Sequence, residues 1–338
     1  MTHELKHLLQ VAYAWHLEGK RSVMATVVEL EGSSYRRPGV RMLIGESGEI
    51  IGAVSGGCVE KEVQIQAASV FKTSLPKVMT YDGRFRLGCE GVLYILLEPI
   101  EISEALIEVA NSCFESRVPF KSESFYKAEF SESNYYGTIL NFEGQSYSFR
   151  PEYDSKHNEH LSKFHQDFPP IFQLYIFGAE HDAVHLCKLA SHLGWDVHII
   201  AAPDEQKSID YFEGAKSLSS PIIDNIDVSE IGENSAVVLM SHSLNKDVQY
   251  MMALRNTKLN YIGLLGSKKR RERIFSEILN YYPDTPLEFF ESVYGPAGLN
   301  IAAETPAEIA LSILSEILSV SRNAEVMPLR EKSGSVHG

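Results

Sequence analysis

The second half of the chain alternates short apolar runs with segments of helical spacing, and that alternation leaves few folds open. Apolar runs at 171–177, 196–201, 236–240 and 261–265 are interleaved with helical patterns at 180–193 and 246–255. Each run is nearly continuous rather than alternating, so both faces of each strand should be buried. Strands of that kind, joined through helices, build a parallel sheet covered on both sides. A Rossmann-like, doubly wound parallel-sheet domain is therefore expected for this half, making the chain α/β.

The first half reads as a mixed α+β domain. Leu5, Leu8, Leu9, Ala12 and Trp15 fall on one face of a helix over 4–17. Strands are expected at 22–30, 41–44, 50–54 and 92–97, a helix at 59–71, and hairpins rich in Tyr and Phe over 122–149. A chain of 338 residues exceeds one ordinary core, so two domains are expected. The boundaries read as 1–150 and 171–325, with a flexible tail over 326–338. Between them 151–170 reads as a linker, because His157, His160 and His165 lie among polar residues and Pro169-Pro170 closes the stretch.

Charge narrows the function classes. With 45 acidic against 31 basic residues the net charge is −14, which disfavours nucleic acid and anionic membrane as partners. A small anion held in a local pocket is unaffected by that balance. Glu4, Lys6, His7 and Gln10 interrupt any leader-like apolar run, and no stretch has the 18 or so apolar residues of a membrane span. The four cysteines, Cys58, Cys89, Cys113 and Cys187, form neither a CxxC pair nor a zinc pattern, so no metal site is expected. A cytoplasmic protein with reduced thiols fits these facts.

Two of the cysteines sit in glycine turns. Ser55-Gly56-Gly57-Cys58-Val59-Glu60 joins a strand to the start of a helix. Glycine lets backbone approach a ligand, helix-start amides attract anions, and the positive end of the helix dipole favours a thiolate. Such a turn suits a sulfur nucleophile or carrier beside a phosphate or oxyanion. A tight turn holding a buried structural thiol is the competing reading. Cys89 lies in a similar turn, Gly88-Cys89-Glu90-Gly91, whereas Cys113 and Cys187 fall in helical, apolar contexts that read as structural. Upstream, the loop 32–41 gathers Ser34, Arg36, Arg37, Gly39 and Arg41, where arginine forks can take phosphate or carboxylate.

The first strand-to-helix turn of the second half is Gly178-Ala179-Glu180-His181, where GxGxxG belongs in a dinucleotide site. Only the first glycine is present, Glu180 brings negative charge to the seat of a pyrophosphate, and Ala201-Ala202-Pro203-Asp204 offers only Asp204, displaced into a loop. These departures argue against NAD(P). Polar groups also end two other strands: Ser241-His242-Ser243, and Gly266-Ser267-Lys268 with Ser267 as a helix N-cap. Thr305-Pro306-Ala307-Glu308 is a capping box that starts an apolar helix.

Several blocks resemble one family. Gly32-Ser33-Ser34, Arg37-Pro38-Gly39, Gly52, Ser55-Gly56-Gly57-Cys58-Val59-Glu60 and the Gly88-Cys89 turn are similar to the N-terminal signature of the XdhC/CoxI proteins, accessory factors of xanthine dehydrogenase. Phe177-Gly178-Ala179, His181, Ser241-His242, the segment 261–268, Gly295-Pro296-Ala297-Gly298 and Thr305-Pro306-Ala307-Glu308 resemble their Rossmann domain. The resemblance implies a maturation factor of purine catabolism that binds molybdenum cofactor (molybdopterin) as cargo. It implies cooperation with a cysteine desulfurase in sulfurating the cofactor, and delivery to apo xanthine dehydrogenase or a related molybdenum hydroxylase. A homodimer is compatible with it. The resemblance links cofactor binding to Cys58, and Cys89, in its similar glycine turn, is the second candidate for the sulfur chemistry. The candidate cofactor-binding residues are Ser34, Arg37, Gly39, Ser55, Gly56, Gly57, Cys58 and Glu60, with Gly178, His181, His242, Gly266, Ser267 and Lys268 in the second half. The chain departs from the family at Glu180, and at Ala201-Ala202 where an aspartate is usual. A nicotinamide-dependent oxidoreductase and a cofactor-free adaptor are the competing functions. Cys58 and Cys89 are expected to border one cleft facing Gly178 and Gly266.

Overall fold

The apolar run that begins at Ser22 is too continuous for a strand with one wet face, and the computed structural model shows why. Strand β1 (Ser22–Glu31) lies inside a six-stranded antiparallel sheet, and its first seven residues are buried. Its neighbours are β2 (Arg41–Gly45) and β5 (Val92–Ile100). With β3 (Ile50–Gly52), β4 (Lys77–Asp82) and β7 (Ser131–Glu132) the order is β3-β2-β1-β5-β4-β7. The structure describes residues 1–32, 37–55, 57–83, 91–153 and 160–333 and, of Cys58 and Asp224, the backbone alone.

Alternate residues of β1 feed two cores. Val23, Ala25 and Val27 meet helix α2 (Cys58–Thr73), whose Val59, Val63, Ala67 and Val70 recur at helical spacing. Met24 lies in the other core, with α1 (Thr2–Leu17) and α3 (Glu104–Glu115). Helix α1 contributes Leu5, Leu8, Leu9 and Ala12; at about 2 kcal/mol for each buried leucine, this face rather than intrinsic propensity holds the helix. A second antiparallel sheet, β10-β6-β8-β9, is built from β6 (Phe120–Tyr126), β8 (Gly137–Phe142), β9 (Gln145–Ser148) and β10 (Ser162–Phe168). It supplies Phe120, Phe142 and Phe168 to that core, with the rings of Phe120 and Phe168 stacked at 4.7 Å.

The stretch 151–170 is not wholly a linker. Strand β10 pairs with β6 along its whole length, from Ser162↔Tyr126 to Phe168↔Phe120. Gln166 and Phe168 turn into the core while Lys163, His165 and Asp167 face solvent. The chain divides after Pro170, into Met1–Pro170 and Ile171–Gly338.

The second unit is a parallel sheet of order β13-β12-β11-β14-β15-β16. Its strands are β11 (Gln173–Phe177), β12 (Asp196–Ile200), β13 (Ala215–Ser219), β14 (Ser235–Leu239), β15 (Ile262–Leu264) and β16 (Val293–Tyr294). Leu174 and Ile176 of β11 face α4 (His181–His192) and α8 (Pro306–Ser321); Tyr175 and Phe177 face α5 (Leu244–Leu254) and α6 (Lys268–Tyr281), with α7 (Leu287–Glu291) beside them. Helix α8 starts at the capping box: Thr305 Oγ1 accepts from Glu308 N at 3.4 Å, and Glu308 Oε2 accepts from Thr305 N at 2.9 Å.

The strand order reverses between β11 and β14, which is where this fold opens a ligand crevice. Gly178 ends β11 there with φ +135, and a methyl in place of its hydrogen would sit 2.6 Å from the carbonyl oxygen of Met240. Backbone is the obstacle, so the clash has little room to relax. Gly178→Ala is expected to lower the unfolding free energy by about 2 kcal/mol or more. A urea midpoint equal to that of the wild type would show that the two strand ends yield freely.

Candidate functional site

In the first unit the glycine turn is held by an acid. After β3 the chain passes through Ala53, buried Val54 and Ser55, and Gly57 is the N-cap of α2. Glu60, in the first turn of that helix, reaches back: Ser55 N donates to Oε1 at 2.6 Å and Gly57 N to Oε2 at 2.5 Å. Glu60 is only 9 % exposed. Both its oxygens are engaged by the turn itself, so Glu60 shapes the site instead of waiting for a ligand. The anion seat is smaller than the sequence implied. Among the described residues two amides of the turn are taken, and the remaining candidates are the first-turn amides at Cys58, Val59 and Glu60, which lack partners within the helix. The carboxylate also offsets part of the helix dipole that favours a thiolate. Gly56 lies outside the described residues, as does the side chain of Cys58.

The upstream loop divides. Ser34 and Arg36 lie outside the described residues, and Arg37 is exposed. Gly39 is buried, donates to Val27 O at 2.7 Å, and leaves the space of a side chain to Gln166, whose amide nitrogen would lie 2.5 Å from a Cβ placed there. Arg41 is internal, at 6 % exposure. Its guanidinium donates to Gly39 O at 3.0 Å, Gln166 Oε1 at 2.5 Å and Ser122 Oγ at 3.2 Å. Burial draws its pKa down to about 10, against the pull of Glu98, so it stays charged at neutral pH. Glu98 is itself buried and accepts from Thr138 N at 2.8 Å and Thr138 Oγ1 at 2.5 Å. Burial pushes its carboxyl up while Thr138, Arg150 and Arg41 act in the other direction. Gly88, Cys89 and Glu90 lie outside the described residues, and so does the expected cleft between the two thiols.

In the second unit the sequence-selected residues collect at the carboxyl ends of strands. Gly178 follows β11, Ser241 and His242 lie just beyond β14, and Gly266 follows β15 by two residues. His181 opens α4, its ring centroid 4.9 Å from that of His185. His242 has φ +55 and places Nε2 3.4 Å from Asp182 Oδ2 in the first turn of α4. Ser267 caps α6 by accepting from Arg270 N at 3.3 Å, whereas Lys268 is 73 % exposed. Glu180 is the N-cap of α4 and makes no side-chain cap. With Asp182 beside it, negative charge stands where a dinucleotide phosphate would approach.

Three residues at this rim were not among the candidate site residues read from the sequence: Asp182, Asp247 and Arg270. Asp247 is 1 % exposed and accepts from Ser241 Oγ at 2.5 Å and Arg270 Nη2 at 2.6 Å. That pair ties the end of β14 to α5 and α6. A signal was present, since Asp247 lies on the stripe of Met251 and Leu254, and Arg270 on that of Ile274 and Ile278. A charge on an apolar stripe calls for a partner. Among the described residues no group of His, Cys, Asp or Glu side chains gathers for a metal ion, and no helix is long and apolar enough to cross a membrane.

Residues 15–82 match the model of the XdhC and CoxI family, and residues 174–317 match that of the XdhC Rossmann domain. The chain is similar to a Bacillus subtilis protein named as a probable component of xanthine dehydrogenase, at 29 % identity over 91 % of this chain and 96 % of that one. It is 26 % identical to the Escherichia coli molybdenum cofactor insertion chaperone PaoD, over 96 % of this chain and 91 % of the relative. Its fold superposes on a crystal structure described as a xanthine dehydrogenase from Bacillus halodurans with a TM-score of 0.77, 26 % identity, and coverage of 95 % and 98 % of the two chains.

Cys113 and Cys187 are both buried thiols. Burial pushes Cys187 up to about 12, and its Sγ lies 3.7 Å from Glu213 O; burial and then Glu143 raise Cys113. In the native protein at pH 8, iodoacetamide should modify these two at least roughly tenfold more slowly than a free thiol, because the thiolate is the reactive form. Peptide mapping after quenching reads the outcome, and prompt labelling of Cys187 would contradict its burial.

Proposed function

Because the chain belongs to the XdhC and CoxI family, we propose that it is an accessory protein that carries molybdenum cofactor as cargo to a xanthine-dehydrogenase-type hydroxylase. On this reading it acts in the cytoplasm, supports sulfuration of the cofactor with a cysteine desulfurase, and then meets the apo-hydroxylase. It is a maturation factor and not a turnover enzyme. The names of its full-length relatives support the cargo and the client.

The observation that carries the reading is the acid-stapled turn at the start of α2, inside the segment that matches the XdhC and CoxI family. The cargo is an anionic, phosphate-bearing pterin with a metal centre held by sulfur. The donor set fits that chemistry in two parts. The first-turn amides of α2 suit an oxyanion, and a thiol at position 58 suits the metal-sulfur end. Glu60 fixes the turn so that these groups are set before the cargo arrives, which lowers the ordering cost of binding.

The strand order of the second unit favours a different reading, a nicotinamide-dependent oxidoreductase. Glu180 and Asp182 at the start of α4 weigh against it, and we assign no nicotinamide to this unit. Calorimetric titration with NAD and NADP is expected to show no binding at micromolar concentration; a clear isotherm would restore the oxidoreductase.

The carrier reading is tested on protein purified from cells that make the cofactor. Pterin, measured as its fluorescent oxidation product, and molybdenum should both fall at least roughly tenfold in Cys58→Ala, the scale of one lost charge-assisted contact. Equal retention by folded wild-type and variant protein would remove Cys58 from the site.

A further inference from the structure

A cavity of about 420 Å³ opens in the first unit beside the approach to the glycine turn. Helix α1 lines it with His3, Glu4, His7 and Leu8; Val40 and Arg41 form a second wall; Ile51, Gly52 and Ala53 form a third. Ala53 is only two residues before Ser55, whose amide Glu60 holds. The volume falls within the roughly 300–1,000 Å³ of small-molecule sites. Leu8, Val40, Ile51 and Ala53 give it apolar sides suited to a flat ring.

Arg41 distinguishes this cavity. Buried charges are normally paired with an opposite charge. The guanidinium of Arg41 instead meets three neutral acceptors, from Gly39, Gln166 and Ser122, and its Nε has no partner. Thr26 stands opposite Arg41 in the β1–β2 register, and its buried Oγ1 is also unpartnered. Glu98 acts on Arg41 by charge without a direct contact between them. The other acid at the cavity, Glu4, faces the N-terminal ammonium of Met1 at 3.6 Å. A fixed cation thus stands behind a largely apolar wall, with no carboxylate in contact, in a setting that water screens poorly.

We infer that this cavity receives a flat heterocycle carrying an anionic substituent, the pterin end of the cargo, with Arg41 as the source of the attraction. The assignment rests on the carrier reading and adds to it a subsite and a preference for charge. Gln166 and Gly39 are positioning residues in this scheme. Gly39 leaves room for Gln166, and Gln166 accepts from the guanidinium and fixes it behind the cavity wall.

The probes are pterin-6-carboxylate and the uncharged 6-hydroxymethylpterin, titrated against the full chain by fluorescence. The wild type should bind the carboxylate about tenfold more tightly than the uncharged ring, the scale of one poorly screened charge acting across the wall. Ala53→Phe narrows the cavity while leaving Arg41 itself unsubstituted and should weaken both probes tenfold or more. Arg41→Gln should remove the preference and Arg41→Lys restore part of it, with folding checked by thermal unfolding. Should Arg41→Gln fail to fold, the comparison of the two probes and Ala53→Phe still decide the matter. Equal affinity for the two probes, absence of binding, or full affinity in Ala53→Phe would overturn the inference. A protein that binds the probes at this cavity yet keeps its cofactor in Cys58→Ala loses the Cys58 reading and retains this subsite; loss of the subsite alone leaves cofactor retention at Cys58 standing.

Discussion

The central sheets of both units are buried on their two faces, and that constraint decides where polar chemistry can stand. Within β1 and β11 successive side chains enter opposite apolar cores, so neither strand has a face to spare for a ligand. Polar atoms that need partners are pushed to strand ends, turns and helix starts. The glycine turn before α2 and the rim at Gly178, Ser241 and Gly266 are such places. At each one an acid supports the local geometry: Glu60 pins the turn through two amides, and Asp247 joins Ser241 to Arg270.

What could be read from the sequence follows from the same constraint. Strands buried on both faces are uniform apolar runs, and β11, β12, β14 and β15 stood out against the helices between them. The capping box at Thr305 was legible because its rule is local. Strand β10 was not, because its outward residues Lys163, His165 and Asp167 give an edge strand the polarity of a linker, and only its pairing with β6 reveals the alternation. Glu60 was singled out as a ligand for the cofactor, yet its partners are amides three and five residues upstream. A sequence shows the acid and the glycines but not which of them satisfies the other.

Asp247 and Arg41 are buried charges resolved in opposite ways. Asp247 meets a guanidinium and a hydroxyl, which compensates its desolvation and makes it a brace between helices. Arg41 donates to three neutral oxygens and lies 5.4 Å from the centre of the Phe168 ring, with no carboxylate in contact. A buried cation without a touching anion raises the free energy of the fold unless something offsets it, and proteins accept such local costs chiefly at functional sites. The same comparison separates the cysteines. Cys187 has a raised pKa and an apolar core around it, which is the setting of an inert thiol, while position 58 begins a helix.

The Rossmann order of the second unit illustrates how fold and site come apart. The sheet keeps the reversal at β11 and β14 that creates a crevice, and Gly178 keeps the close approach of the two strand ends. The first turn of α4 nevertheless carries Glu180 and Asp182, and His242 leans toward Asp182 from across the reversal. Diphosphate needs unoccupied amides and no nearby anion, so this arrangement works against dinucleotide binding at the point where the topology permits it. The topology follows from burying apolar strands, whereas the ligand follows from a few charges at their ends. A change of two or three residues there is enough to alter what the crevice accepts while every core contact stays in place.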